Sequence, residues 1–203
     1  TMAYLDHAAT TDVLPDVVGR MTTELGRVGN PSSLHKSGRA SRMAVEVARE
    51  QIAQALECLP NEVIFTAGGT ESDNLAIKGM FWARHNADTK RNRILASKIE
   101  HHAVLDPVQW LEDSKQGQVE WIPVDSLGRV DIDALRKSIE NDPSSVALIS
   151  VMWANNEVGT VQPIEEVVAL AKVHGIPVHT DAVQAIGNLP VSFRTSGVDA
   201  MTI

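Results

Sequence analysis

From Glu62 onward the chain alternates short apolar runs with longer stretches of helical periodicity, and this alternation limits its possible folds more than any other feature. The runs are Val63-Ile64-Phe65, Ile94-Leu95-Ala96, Val119-Glu120-Trp121-Ile122, residues 146–151, Val178-His179-Thr180 and Ala200-Met201-Thr202-Ile203. Each is short enough to be a strand, and helical patterns separate them near residues 71–88, 103–116, 131–140 and 163–174. Strands alternating with helices imply right-handed crossovers and a largely parallel sheet covered on both faces. The expected fold class is therefore α/β, a three-layer α/β/α domain with a mainly parallel sheet.

Upstream, helical patterns run from about Leu14 to Arg27 and from about Arg39 to Leu56, the second with Ala40, Met43, Ala44, Val47 and Ala48 on one face. Between them Gly29-Asn30-Pro31-Ser32-Ser33 combines turn formers with helix caps, so the chain changes direction there. No repeat or linker-like stretch interrupts the rest. The expected division is an N-terminal segment over residues 1–30 and one large domain over residues 31–203. The last run reads as a strand with nothing after it, and the expectation is a chain cut short.

Composition narrows the function. With 18 basic against 26 acidic residues and a formal charge of −8, the chain is poorly suited to gripping a phosphate backbone, so nucleic acid is not the expected ligand. Cys58 is the sole cysteine, which rules out an internal disulfide and points to a reducing cytoplasm. No apolar run approaches the ~20 residues that span a bilayer, and no membrane association is expected.

Four stretches could carry chemistry. In Phe65-Thr66-Ala67-Gly68-Gly69-Thr70-Glu71-Ser72, paired glycines open a helix, and small residues there let backbone N–H groups approach a phosphate at the positive end of the helix dipole. An ordinary turn with Thr70 capping is the competing reading. The stretch lacks the Gly-Lys-Ser/Thr ending of a Walker loop, which argues against nucleotide hydrolysis. Glu100-His101-His102-Ala103 follows the next run; adjacent histidines are badly spaced for a shared metal, and a flat imidazole stacked on a ring competes with a plain helix start. Asn155-Asn156 follows the most apolar run, where the amides either build a loop or meet a ligand. Asp181 closes a further run with Gln184 three residues on, and a carboxylate so placed either caps a helix or meets a cationic ring nitrogen.

Taken in order, these stretches resemble those of the cysteine desulfurases, fold type I pyridoxal-phosphate enzymes of the aminotransferase class V kind. The resemblance covers nearly the whole chain. It begins with Tyr4-Leu5-Asp6-His7-Ala8-Ala9-Thr10-Thr11 and Gly29-Asn30-Pro31-Ser32-Ser33-Leu34-His35. It continues through Thr66-Ala67-Gly68-Gly69-Thr70-Glu71-Ser72-Asp73-Asn74, Glu100-His101-His102-Ala103-Val104-Leu105, Asn155-Asn156-Glu157-Val158-Gly159 and Asp181-Ala182-Val183-Gln184-Ala185. It implies pyridoxal 5'-phosphate as cofactor, held at its phosphate by the Gly69 backbone and Thr70. His101 would stack on the ring and move protons, Asn156 would lie on the ring's hydroxyl side, Asp181 would pair with the ring nitrogen, and Gln184 would bond the phenolic oxygen. It further implies conversion of L-cysteine to L-alanine, a homodimer, and delivery of persulfide sulfur to an iron-sulfur scaffold or a tRNA-thiolating enzyme. Selenocysteine lyase, a desulfurase of DNA sulfur modification and a non-catalytic scaffold of the same fold are the alternatives.

The resemblance also carries departures. The Schiff-base lysine is expected a few residues beyond Ile203 and the persulfide-forming cysteine far downstream, so the stretch given reads as the N-terminal half. Lys36 precedes the glycine turn and Cys58 sits beside Leu56 and Leu59, so neither is expected to substitute for them.

Overall fold

The computed structural model describes residues 3–203, which divide into two compact units between Ile64 and Phe65. The first unit holds two helices, α1 (Pro15–Leu25) and α2 (Lys36–Leu56). α1 opens on Pro15, whose missing N–H costs nothing at a first helical position. α2 is capped by His35, whose ring nitrogen accepts from the Gly38 N–H at 3.3 Å, and it ends at Glu57, which adopts a left-handed φ of 58°. The breaker packs closely onto the start of α2. A Cβ on Gly38 would lie 2.3 Å from the Ser33 carbonyl oxygen, and one on Gly29 would lie 2.7 Å from that of Ser37, so both positions exclude any larger residue.

The second unit runs α3 (Gly69–Ala87), β1 (Arg93–Ser97), α4 (His102–Asp113), β2 (Gln118–Ile122), α5 (Ile132–Asn141), β3 (Val146–Ser150), α6 (Ile164–Val173), β4 (Val178–Asp181), α7 (Phe193–Ser196) and β5 (Ala200–Thr202). The strands form one five-stranded sheet in the order β2-β1-β3-β4-β5, and every neighbouring pair is parallel. Alternation along the strands sorts the core into two layers. Ile94, Ala96 and Leu148 pack with Ile77 and Phe81 of α3 and with Val104, Val108 and Leu111 of α4. Their neighbours Leu95 and Ile149 point the other way, onto Leu135 and Ile139 of α5 and Val167 and Ala171 of α6. All five residues of β3 are buried, as a strand covered on both faces requires. Each fully buried Leu, Ile or Phe contributes about 1.5–3 kcal/mol relative to exposure. The three-layer α/β/α architecture with a parallel sheet is thus the observed one.

One expected strand is absent. Val63-Ile64-Phe65 belongs to no sheet, and Ile64 and Phe65 stand 70% and 47% exposed. A run with strand composition becomes a strand only if a neighbour takes its backbone hydrogen bonds, and here the Val63 carbonyl accepts from the Arg49 guanidinium instead. No helix among the described residues is long and apolar enough to cross a membrane.

Candidate active site

In a parallel sheet, ligands gather outside the carboxyl ends of the strands, above all where the strand order reverses. Here β1 is flanked by β2 on one side and β3 on the other, so the connections leaving β1 and β3 diverge. A buried carboxyl spans that split. Glu100, 5% exposed, accepts at Oε1 from the Ser97 hydroxyl at the end of β1 and from the Met152 N–H just past β3, at 2.8 Å from the latter. Asn155 adds a second strap, its amide donating to the Ile99 carbonyl at 2.9 Å. Burial raises the Glu100 carboxyl to about 8, reinforced by the nearby carboxylates of Asp181 and Asp73 and opposed by its two hydrogen bonds, so at neutral pH it is mostly protonated.

His101 follows directly and is the N-cap of α4. Its Nδ1 accepts from the Ala103 N–H at 3.1 Å, which leaves the proton of the neutral ring on Nε2. The ring is exposed, so it is available to a ligand as well as to solvent. His102 turns away to Asp106, 3.2 Å distant, and the two rings meet edge-on rather than face to face.

Asp181 ends β4 and is 6% exposed, with Oδ1 accepting from the Val183 N–H at 2.9 Å. Burial pushes its carboxyl upward, as does the charge of Asp73, while the Val183 hydrogen bond and the His179 and His101 imidazoles oppose the rise. A carboxyl in that condition ionises readily when a cation arrives. His101 and Asp181 therefore share one electrostatic environment, as their sequence positions at strand ends suggested.

The glycine stretch opens α3. The Ser72 N–H takes the first intrahelical carbonyl, that of Gly68, at 3.1 Å, which leaves the N–H groups of Gly69, Thr70 and Glu71 without an intrahelical acceptor. Glu71 folds back to accept from the Ala67 N–H at 2.6 Å, and the Thr66 hydroxyl donates to the Gly68 carbonyl at 3.1 Å, so the loop is shaped from within. A Cβ on Gly68 would meet nothing within 4 Å, whereas one on Gly69 would lie 3.3 Å from Val183 Cγ2, so the turn at the helix end is open at Gly68 and closely packed at Gly69. The end itself stands beside the sheet edge, because Ser72 Oγ lies 3.0 Å from Thr202 Oγ1 at the close of β5.

The two asparagines divide their work. Asn155 is consumed by its loop: besides its strap, its Oδ1 accepts from the Glu157 and Val158 N–H groups at 3.0 and 2.9 Å. Asn156 is half-buried, and its amide donates to the Glu157 carboxylate at 3.0 Å. Gln184 is half-buried on the turn after Asp181, where its carbonyl accepts from the Asn188 amide at 3.1 Å. Cys58 is half-buried near the end of α2 in the other unit.

Sequence reading passed over three buried polar groups: Glu100, Asp73 and His179. Each stood inside a quoted motif, and the available signal was a charged or imidazole side chain in or beside an apolar run.

The chain is similar to known proteins along nearly its whole length. The family model described as aminotransferase class-V matches residues 3–203. An "IscS-like cysteine desulfurase" from Mycobacterium tuberculosis is 52% identical, with 100% of this chain covering 51% of that protein. A "Cysteine desulfurase IscS" from Dictyoglomus turgidum is 48% identical, over 98% of this chain and 49% of the relative. Among solved structures, a "NifS-like protein" superposes with a TM-score of 0.91 at 37% identity, over 100% of this chain and 55% of that one. Another, "SspA in complex with cysteine", gives 0.90 at 34% identity, over 99% and 57%. The chain belongs to the aminotransferase class V family, whose cofactor is pyridoxal phosphate. It spans about half the length of the curated relatives it matches.

The residues present fit that cofactor. N–H groups without intrahelical acceptors at the start of a long helix suit a phosphate, and a buried carboxyl poised to ionise suits a cationic ring nitrogen.

Proposed function

We propose that the whole protein is a cytoplasmic pyridoxal-phosphate-dependent cysteine desulfurase that converts L-cysteine to L-alanine and hands the sulfur on as a persulfide. The observation that carries this reading is the meeting, at one edge of one sheet, of an anion-receptive helix end, a buried Asp181 and an accessible His101 in its field. The 52% identity to an IscS-like desulfurase supports it from an independent side.

In this reading the Gly69 and Thr70 N–H groups and the Thr70 hydroxyl hold the phosphate. Asp181 pairs with the ring nitrogen, Gln184 donates to the phenolic oxygen, and Asn156 lies on the hydroxyl side of the ring. Bound pyridoxal phosphate supplies an electron-withdrawing ring, and Asp181 is the group that keeps its nitrogen protonated. His101 stacks on that ring and moves protons at Nε2, the nitrogen its cap leaves free. Glu100, being mostly protonated, straps the loop that presents His101 without adding a second negative charge beside Asp181. The protein acts as a homodimer and serves an iron-sulfur scaffold or a tRNA-thiolating enzyme as sulfur acceptor.

The test is product analysis on the full-length protein with L-cysteine, pyridoxal phosphate and a thiol reductant that supplies two electrons per turnover. The reading expects alanine and sulfide in equal amounts. Pyruvate and ammonia instead, or no sulfur release, would refute it, and release from selenocysteine alone would move the assignment to a selenocysteine lyase.

A further inference from the structure

Behind Asp181 lies a buried polar chain that the proposed roles leave unused. His179 is fully buried in β4, two residues before Asp181 and so on the same face of the strand. Both of its ring nitrogens are engaged. Nδ1 lies 3.0 Å from Ser150 Oγ on β3, and Nε2 faces two oxygens, Thr202 Oγ1 on β5 and Asp73 Oδ1 on α3, each at 3.3 Å. Ser72 on α3 reaches the same Thr202 hydroxyl at 3.0 Å. Asp73 is 1% exposed and neither carboxylate oxygen has a well-directed hydrogen bond, so the imidazole N–H at Nε2 is the nearest compensation for a buried acid. The assignment that satisfies these neighbours has Nε2 as donor toward α3 and β5 and Nδ1 as acceptor from the Ser150 hydroxyl.

The two residues that reach this imidazole chain from α3, Ser72 and Asp73, lie at the start of the same helix as Gly69 and Thr70, one residue beyond them. One buried ring thus joins the anion-receptive helix end to the strand that carries Asp181. We propose that His179 and Asp73 are positioning residues: the imidazole ties the start of α3 to β3, β4 and β5, and so fixes the separation between the phosphate-holding helix end and the ring-holding carboxylate. The inference rests on the cofactor reading above. Neither residue touches the cofactor; both act through the groups that do.

The tie has an electrostatic side. The groups facing Asp181 are Asp73 from α3, His179 from β4 itself, Glu100 from the segment after β1 and His101 from the start of α4. Asp73 is the one whose charge raises the Asp181 carboxyl, so converting it to an amide lets Asp181 stay ionised to lower pH. A merely structural contact has no reason to move that limb.

The experiment measures pyridoxal-phosphate affinity of the full-length protein by its visible absorbance, with far-UV circular dichroism to establish folding. A glutamine amide can reproduce the Nε2 donor and an asparagine amide only the Nδ1 position. His179→Gln is therefore expected to bind within about 3-fold of the unmodified protein, and His179→Asn to lose about 10-fold or more. Asp73→Asn is expected to retain the cofactor to lower pH. Equal affinities for the glutamine and asparagine variants, or an unmoved acid limb in Asp73→Asn, would overturn the proposal. If the unmodified protein binds no pyridoxal phosphate, the cofactor reading itself fails, a result distinct from either of these.

Discussion

Residues 65–203 and residues 3–64 use apolar side chains in opposite ways. In the larger unit Ile77, Phe81, Leu95, Leu148 and Ile149 are fully buried, and the apolar residues of the central strands pack against helices on both sides of the sheet. In the smaller unit α1 has no buried residue, and Leu14, Val17, Val18, Met21 and Leu25 are all exposed. Both regions have clear helical periodicity, so the contrast is not one of propensity. It shows that local pattern specifies a helix, while stability comes from the layer it is packed against. The functional groups follow the same division: every residue assigned a cofactor role lies in the unit with its own core.

The sharpest way to break the contrast is to empty the core. Phe81→Ala is expected to destabilise the chain by about 3–5 kcal/mol in urea unfolding, because the ring is fully buried between α3 and the sheet. A loss below about 1 kcal/mol would mean that this layer is looser than described.

Next in size is a pH effect within the larger unit. The Glu100 carboxyl is raised from 4.5 to about 8, so the folded state binds its proton more tightly than the unfolded chain does. Its contribution is fully present below about pH 4.5 and is lost as pH rises through about 8, a change on the order of a few kcal/mol at most. Glu100→Gln in the cofactor-free protein is expected to flatten that slope in thermal melts from pH 5 to pH 9. An unchanged slope would assign it to other groups.

Smaller still is the N-cap of α5, where Asp131 accepts from the Ala134 N–H at 2.9 Å. Asp131→Ala should cost about 1 kcal/mol by the same unfolding measurement. At the bottom of the scale stands Leu25→Ala in α1, expected within about 0.5 kcal/mol of the unmodified chain, since Leu25 is 84% exposed. A large loss there would show that α1 is buried in solution and would erase the contrast.

How far the sequence led depended on the kind of interaction. The strands over residues 146–150 and 178–181 and the helix over 164–173 were legible because continuous apolar runs and helical spacing are local signals. Val63-Ile64-Phe65 misled because its composition is that of a strand while its hydrogen-bond partner is a matter of tertiary structure. The glycine turn, His101 and Asp181 were legible as a constellation only because strand ends of a parallel sheet share an edge. The chain from Ser72 and Asp73 through His179 to Ser150 was not, since it joins residues up to 130 positions apart, as the Ser72–Thr202 contact illustrates. Nothing in the neighbourhood of His179 in sequence indicates which side chains surround it.

The most direct test of the central claim is the absorption spectrum of the full-length purified protein, with and without L-cysteine, beside Asp181→Ala. The account predicts a yellow cofactor band that shifts on adding cysteine and weakens in the variant, because Asp181 holds the ring nitrogen. A colourless protein that stays so after incubation with pyridoxal phosphate, or a variant with an unaltered band, would contradict it.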